Sequence, residues 1–283
     1  MRRHSRPRCG GRMDTSHDPA HFTAVDVNDA DFLIEFLDAR YDLPGELRVK
    51  ELIVEALELR PGLAVLDVGA GTGADTCRLA ELAAPPHTTG SVVGLDRSSR
   101  MVAEARRRAA ASGAAAEFVE GDATALPFPD ATFDRCRVER TLMHLPAPAT
   151  AIREMARVAR PGGIVVASEI DAATAFLGAG PSPVTGLVEQ ELVDAFPSSR
   201  VGRCLPRMLG EAGLVDVRCV PTVILNSVAF VRMVVGDRLQ RLVDAGATSA
   251  AAAAEFWSEQ ERGEREGWLR TGITCFTASG RKP

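Results

Sequence analysis

The amino-acid sequence predicts an α/β fold in which helices cover both faces of a parallel sheet. The first observation is residues 65–73, Val-Leu-Asp-Val-Gly-Ala-Gly-Thr-Gly, where an apolar run of strand character enters three closely spaced glycines before a polar helix start. The second is the alternation of apolar runs with helical patterns up to residue 169, which is typical of parallel sheets. The third is size, because 283 residues with 46% apolar content can bury one full core and added helices.

Two helices are predicted before the first strand. Apolar residues recur at helical spacing across residues 30–59, and a Pro-Gly pair divides this region. We expect residues 1–20, which begin with a basic, Gly- and Pro-containing stretch, to be disordered and residues 21–58 to form a helical cap. Met13 would serve as a start as well as Met1.

Strands and helices alternate after the glycine-rich turn. Strands are expected at residues 91–95, 116–119, from residue 133, and at 164–168, 215–225 and 273–280. Helices are expected at residues 100–111, 185–195 and 204–212, and through the Ala-, Glu- and Arg-rich segment 229–270. A Pro-Gly-Gly turn at residues 161–163 is expected to separate a helix from the fifth strand.

Gly69, Gly71 and Gly73 indicate a ligand-binding turn. Glycine adopts backbone angles that are closed to other residues, and it leaves the main chain bare. A strand that enters a helix through such a turn places a nucleotide-like ligand at the carboxyl edge of the sheet. Gly69, Gly71 and Ala74 also satisfy the loose Gly-x-Gly-x-x-Gly/Ala dinucleotide pattern. Asp96, at the end of the second strand, can bind a ribose diol, so it fits either a nicotinamide dinucleotide or S-adenosylmethionine (SAM).

Motifs further along the chain distinguish these two cofactors. Glu-Gly-Asp-Ala at residues 120–123 follows the third strand, Phe-Asp at 133–134 leads the fourth, and residues 154–163 read Glu-Met-Ala-Arg-Val-Ala-Arg-Pro-Gly-Gly. With the glycine turn, this succession across residues 59–169 resembles the class I SAM-dependent methyltransferases, in particular the branch of ubiquinone and menaquinone biosynthesis enzymes and many small-molecule methyltransferases. The resemblance implies a Rossmann-like, seven-stranded, doubly wound sheet whose last strand is antiparallel, with N-terminal helices and a helical lid insertion.

The resemblance also implies a division of the chain. Residues 59–225 would form the α/β core that binds SAM and releases S-adenosylhomocysteine, and residues 271–283 would supply its final strand. Residues 226–270 would form a helical lid over the acceptor pocket, with a dimerisation arm as the alternative.

Cofactor-binding residues are assigned by their position in the resembling motifs. Asp67 and the backbone of residues 69–73 fall where the family holds the methionine and ribose part, Asp96 where it holds the ribose diol, and Asp122 where it holds the adenine amino group. Met101 falls where the family packs an apolar side chain on adenine. The full expected set is Asp67, Gly69, Ala70, Gly71, Gly73, Asp96, Arg97, Met101, Gly121, Asp122, Ala123 and Glu139. The acids also have structural alternatives, as turn residues or as a helix cap.

Catalytic candidates lie at the carboxyl ends of the fourth and fifth strands. The sulfonium of SAM is already activated, so the protein mainly positions an acceptor about 3 Å from the methyl carbon. His144 titrates near neutrality and is a candidate general base, with a structural bond to a loop carbonyl as its alternative. Glu169 and Asp171 are further candidate bases or substrate-orienting groups, or solvated carboxylates. Glu139 and Arg140 could instead form a local ion pair in the pocket floor.

Composition argues against several other classes of protein. The net charge is −5 without a broad basic stretch beyond the N-terminus, so no nucleic-acid partner is expected. The Asn/Asp-Pro-Pro-Tyr signature of amino-directed DNA methyltransferases is absent, since residues 138–141 read Val-Glu-Arg-Thr. Six scattered cysteines predict neither disulfides nor a metal site and suit a cytoplasmic protein. No run of about 18 apolar residues predicts a membrane span.

The sequence therefore predicts a cytoplasmic SAM-dependent methyltransferase. Its partner would be a small, apolar or aromatic methyl acceptor, such as a quinone precursor or a secondary metabolite, modified on oxygen, nitrogen or carbon by a monomer or homodimer. An NAD(P)-dependent oxidoreductase is an alternative, disfavoured because helical sequence precedes the glycine motif and a catalytic Tyr-x-x-x-Lys is absent. A second alternative is a protein that binds SAM without methyl transfer, such as a cyclase.

Overall fold

In the computed structural model, the described residues are 26, 30–41, 43–178 and 182–283. The strands are β1 (Ala64–Val68), β2 (Ser91–Asp96), β3 (Ala116–Glu120), β4 (Phe133–Glu139), β5 (Ala159–Leu177), β6 (Val215–Leu225) and β7 (Thr271–Arg281). The helices are α1 (Ala30–Tyr41), α2 (Pro44–Leu57), α3 (Ala74–Ala83), α4 (Ser99–Ser112), α5 (Pro148–Val158), α6 (Pro183–Asp194), α7 (Val201–Glu211), α8 (Val228–Asp244) and α9 (Ala250–Glu266), with a short 3-10 helix at Leu142–His144. The predicted disorder of residues 1–20 falls outside the described residues.

The seven strands form one mixed sheet in the order β3-β2-β1-β4-β5-β7-β6. β1 pairs in parallel with both β2 and β4, and β3 and β5 extend the parallel part on either side. β7 lies antiparallel between β5 and β6. This arrangement confirms the predicted doubly wound sheet with an antiparallel last strand, and it brings the carboxyl ends of the parallel strands to one edge.

Both predicted N-terminal helices are present, and they attach to the sheet differently. α2 buries Val49, Ile53 and Leu57 in the main apolar core. α1 contributes Leu33, which packs with Met101 of α4 in a separate small cluster. α2 therefore belongs to the core, whereas α1 covers the edge of the sheet with fewer apolar contacts.

β5 is much longer than the predicted strand at residues 164–168. The Pro-Gly-Gly sequence was predicted as a turn before the sheet, but it lies within β5. The Gly162 amide donates to the Lys282 carbonyl, and the Lys282 amide donates to the Gly163 carbonyl. At its other end, β5 continues to Leu177 and pairs there with Thr271 of β7. The sequence pattern missed both extensions. The carboxyl-terminal one depends on pairing with β7, more than 90 positions away, and the amino-terminal one on pairing with Phe133 of β4 and with Lys282.

The far ends of β5 and β7 carry a second apolar core. It joins α6, α8 and α9 through the buried side chains Leu177, Val184, Val188, Leu192, Val231, Val235, Leu239 and Phe256. Trp257 packs edge-on against Phe256, with ring centroids 4.9 Å apart, and lies under Arg232 of α8. The helices between β6 and β7 thus form a compact unit with α6. Over the described ranges, no helix is both long and apolar enough to cross a membrane.

Truncating a side chain in the main apolar core is expected to lower the free energy of unfolding more than truncating one at the surface. Ile152 of α5 is fully buried, so Ile152→Ala should lower the free energy of unfolding by about 2–5 kcal/mol through lost burial and a residual cavity. Leu82 of α3 is 39% exposed, and Leu82→Ala should cost less than about 0.5 kcal/mol. Urea denaturation of both variants measures this difference, and equal losses would contradict the described core.

Candidate active site

A cavity of about 550 Å³ lies at the carboxyl edge of the parallel strands. One part is bounded by the glycine turn after β1, by the ends of β2 and β3, and by α1. The other part is bounded by the end of β5, by α6 and by α8. Both parts belong to one continuous cavity.

The glycine turn needs glycine for two different reasons. Gly69, Gly71 and Gly73 have φ values of 75°, 52° and 79°, in the region that strains side-chain-bearing residues. At Gly69 a Cβ would lie 1.9 Å from Thr141 Oγ1, so this glycine also permits the close approach of the loop after β4. At Gly73 a Cβ would meet Ala105 at 2.7 Å. Gly69 and Gly71 line the cavity, whereas Gly73 serves helix packing and does not line it.

Asp96 and Asp122 both line the cavity on the glycine-turn side. Asp96 accepts hydrogen bonds from the Gly71 amide at 2.8 Å and the Ser98 amide at 2.9 Å, while burial raises the pKa of its carboxyl. Asp122 accepts hydrogen bonds from the amide and the hydroxyl of Thr124, both at 2.7 Å. These hydrogen bonds, and the one from the amide most of all, lower the pKa of the Asp122 carboxyl. The other predicted cofactor residues that line the cavity are Gly69, Ala70, Gly71, Arg97, Met101, Gly121, Ala123 and Glu139.

Asp67, which the resemblance assigned to the methionine and ribose part of SAM, lies behind the glycine turn. It is fully buried and is not part of the cavity wall. Its Oδ1 accepts from Arg137 Nη1 at 2.6 Å, and its Oδ2 accepts from Thr76 Oγ1 at 2.7 Å. Both carboxylate oxygens thus accept hydrogen bonds from protein side chains. Through these bonds Asp67 connects β1 to β4 and to α3 behind the glycine turn.

A group of buried and half-buried charged residues lines the cavity beneath α1 and α2. We call it the charged cluster; it comprises Arg40, Glu46, Lys50, Asp75, Arg137, Glu139 and Arg140. Asp75 accepts from Lys50 at 2.6 Å and from Arg137 at 2.8 Å. Although burial would raise the pKa of Glu139, Lys50 and Arg137 hold it below its usual range.

Glu139 and Arg140 pair with other residues and not with each other, so the alternative of a local ion pair between them does not hold. Glu139 accepts from Arg137 and lies 3.6 Å from Lys50 Nζ, while Arg140 donates to Glu46 Oε1 at 2.7 Å. Sequence reasoning missed most of this cluster. A signal was available, because central parallel strands are normally continuous apolar runs, and Arg137 interrupts the buried strand β4.

The second part of the cavity is an apolar chamber. We define the chamber by Phe36, Ile170, Ala172, Ala175, Leu177, Leu192, Phe196, Ile224, Phe230, Val231, Val234, Val235 and Ile273. Phe36 of α1 stacks on Phe230 of α8, with ring centroids 5.9 Å apart. The cap helix and the insertion therefore meet over the chamber.

Of the three catalytic candidates, only His144 lines the cavity. It is nearly buried in the 3-10 helix and packs edge-on against Phe196, with centroids 5.4 Å apart. Glu169 instead accepts from the amides of Thr141 at 2.8 Å and Leu142 at 2.6 Å, at the start of the same turn. Asp171 is bonded to Arg203 and to the Ala173 amide. Neither fifth-strand acid lines the cavity, so the geometry favours His144 over both as the candidate base.

The sheet order, the glycine turn and the acids after β2 and β3 are those of the class I SAM-dependent methyltransferase fold. Residues 66–167 match the sequence family described as "Methyltransferase domain". Over these residues the chain is therefore similar to a methyltransferase domain.

Similarity to known proteins extends beyond these residues. The chain is similar to an uncharacterized 37.1 kDa protein in transposon TN4556 of Streptomyces fradiae, at 32% identity over 79% of this chain and 65% of that protein. It is 35% identical to the demethylmenaquinone methyltransferase of Beutenbergia cavernae over 51% of this chain and 59% of that enzyme. The chain thus spans roughly half to two thirds of the length of these curated relatives.

A solved structure of Haemonchus contortus phosphoethanolamine N-methyltransferase 2, in complex with phosphomonomethylethanolamine and S-adenosylhomocysteine, has a similar fold. Its TM-score is 0.60 at 16% identity, covering 94% of this chain and 60% of that chain. At this identity the similarity concerns the fold alone.

The position of Glu169 predicts a pH dependence of stability. Burial raises the pKa of its carboxyl to about 7 from 4.5, so the stability that depends on its protonated form is present below pH 4.5 and lost as pH rises through 7. Glu169→Gln keeps an oxygen for the two amides but does not titrate. The variant should therefore gain up to about 3 kcal/mol relative to wild type between pH 4.5 and pH 8.

Chemical denaturation at several pH values measures this gain. Glu211→Gln, which alters an exposed pair on α7, should leave the pH dependence of wild type unchanged. Parallel curves for wild type and Glu169→Gln would contradict the raised pKa.

Proposed function

We propose that this protein transfers the methyl group of SAM to a small, largely apolar molecule. The observation that supports this most directly is the continuity of the cavity: a bare glycine turn with two acids lies at one end, and the apolar chamber lies at the other. A methyl donor at the first end and an acceptor in the second would meet next to His144 and Thr141, which line the same cavity.

The residues present fit the cofactor. Asp96 offers a fixed carboxylate whose orientation is set by the amides of Gly71 and Ser98, which suits a ribose diol. Asp122, oriented by Thr124, suits the adenine amino group, and Met101 offers a buried apolar surface for the ring. Bound SAM supplies an activated methyl group on its sulfonium. The protein then needs to hold donor and acceptor in line and keep water out.

The acceptor side is suited to an aromatic or otherwise apolar molecule. Phe196, Phe230 and the aliphatic side chains of α8 supply a surface that binds such molecules by exclusion of water. His144 is placed to take the proton that an oxygen, nitrogen or activated carbon acceptor loses. Quinone precursors and aromatic secondary metabolites fit this chemistry.

The proposed lid, partners and compartment are inferred from the sequence and from the position of the helices around the cavity. The helices of residues 226–270 act as a lid, because α8 contributes Phe230, Val231 and Val235 to the chamber wall. We assign no nucleic-acid partner, since the net charge is −5. The five described cysteines are free thiols, which suits a reducing cytoplasm. A monomer or a homodimer would be compatible with this site.

Cofactor binding is tested with a pair of glycine variants. Wild type should bind SAM and S-adenosylhomocysteine but not NADH in titration calorimetry. Gly69→Ala should lose this binding, because its Cβ would lie 1.9 Å from Thr141 Oγ1. Gly113→Ala has a comparable φ of 71° but nothing within 4 Å of the added Cβ, so it carries the backbone strain alone and should bind normally. NADH binding, or equal affinity in both variants, would contradict the proposal.

Methyl transfer is tested with labelled SAM and a panel of quinone precursors and phenols. His144→Ala should lower transfer at least tenfold while the affinity for SAM holds, because proton removal of this kind contributes about 10²-fold to 10⁴-fold. His87→Ala, at an exposed position outside the cavity, is the control. An unchanged rate in His144→Ala would remove His144 from the mechanism, and binding of SAM without any transfer would favour a non-methylating role.

A further inference from the structure

A buried carboxylate caps the segment that carries His144. We call residues 140–145, between β4 and α5, the His144 turn. Glu169 of β5 is fully buried, and its Oε1 accepts hydrogen bonds from the amides of Thr141 at 2.8 Å and Leu142 at 2.6 Å. These amides stand at the start of the short 3-10 helix, where amides have no intrahelical acceptor. Bonds from amides to a carboxylate are among the stronger hydrogen bonds in proteins, so β5 holds the start of this helix.

The local sequence supplies no cap of its own to the His144 turn. Thr141 occupies the N-cap position, but it makes no capping bond, and its hydroxyl donates to the Glu139 carbonyl at 3.1 Å. Arg140 has a φ of 55°, which is unfavourable for a residue with a side chain and persists only where its surroundings fix it. Its amide donates to the Ser168 carbonyl at 3.0 Å. The conformation of the turn therefore depends on partners in β5.

The His144 turn lies between the two parts of the cavity. At its start, Thr141 is so close to the glycine turn that a Cβ on Gly69 would lie 1.9 Å from Thr141 Oγ1. Three positions later, His144 lines the cavity. At its end, the Leu145 carbonyl accepts from the Ser198 hydroxyl at 2.7 Å. A shift of this turn would therefore move His144 relative to the cofactor side.

Glu169 is an expensive residue at this position. Burial raises the pKa of its carboxyl to about 7, so the charged form is costly here. Its Oε2 is buried and has no hydrogen-bond partner among the described residues. The side-chain bonds that Glu169 does make thus go to the His144 turn. A cost in stability of this kind is typical of residues that serve a functional site.

We propose that Glu169 is a positioning residue that holds His144 in place relative to the methyl donor by capping the His144 turn. This inference rests on the proposed methyl transfer with His144 as the base. A base acts only within hydrogen-bond reach of the proton that it removes, and a misplacement of about 1 Å can lower a rate by about 10²-fold. Glu169 does not itself line the cavity, so its effect on the reaction passes through the turn.

The position of His144 is measured first, by magnetic resonance of protein with isotope-labelled histidine, both free and with saturating S-adenosylhomocysteine. The ring signals of His144 are identified by their absence from His144→Ala. Glu169→Gln keeps an acceptor for the two amides and should keep these signals. Glu169→Met keeps most of the volume without the acceptor, so the signals should shift as the contact with the Phe196 ring changes. Ser168→Ala, which removes a buried hydroxyl that bonds Thr277, is the control on the same strand and should keep them.

The effect on the reaction is measured as a double-mutant cycle, with labelled SAM and the panel member that wild type methylates fastest. Glu169→Met should lower kcat at least about fivefold and keep KM for the acceptor within about threefold, because it misplaces the base and leaves the apolar chamber intact. Glu169→Gln should keep kcat within about twofold of wild type. In the His144→Ala background, Glu169→Met should cause no further loss, since a residue that acts through His144 then has nothing to position.

A further variant covers poor folding of Glu169→Met. Glu169→Asp withdraws the carboxylate by one methylene, so its His144 signals and kcat should lie between those of wild type and Glu169→Met. Wild-type signals in both variants would overturn the role of Glu169. An equal loss of kcat with and without His144, or a loss in Glu169→Gln as large as in Glu169→Met, would also overturn it. Absence of methyl transfer by wild type would refute the proposed function alone, because the His144 signals still show whether Glu169 positions the turn.

Discussion

The buried guanidinium of Arg137 is the interaction on which the candidate site depends. It sits in the central strand β4 and contacts Asp67 of β1, Asp75 of α3 and Glu139 at its own strand end. Lys50 of α2 and Arg40 of α1 join the same group and help to balance the charge of the three acids around this one cation. Four elements are thereby fixed around the turn that follows β1. Since breaking a buried pair leaves an uncompensated charge, these residues constrain one another more strongly than apolar neighbours would.

The two parts of the cavity are closed by elements with different attachments. α2 is held by apolar burial and by the pairs of Lys50 and Glu46 with the core. α1 reaches both ends of the cavity, with Leu37 near the glycine turn and Phe36 on Phe230. One helix therefore contacts the cofactor side and the insertion together. This geometry links the closure of one part to the closure of the other.

Much of the fold could be predicted from sequence because it is encoded locally. Periodicity and glycine spacing predicted the parallel strands and the turn, and the family resemblance assigned Asp96, Gly121 and Asp122, which line the cavity. The sequence predictions that failed concern features that are set by residues distant in the sequence. The length of β5 is set by β7, and Glu169 bonds the amides of a turn 27 and 28 residues away instead of facing the cavity. Glu46 and Arg140 are 94 residues apart, and nothing in either local sequence indicates their contact.

The packing of Trp257 against Phe256 and Arg232 has a spectroscopic consequence. The chain has two tryptophans, one within α9 and the other, Trp268, packed on Gly263 of the same helix. Neither lines the cavity. The tryptophan emission of this protein therefore originates in the insertion, and with excitation selective for tryptophan it reports any rearrangement of those helices without a dye.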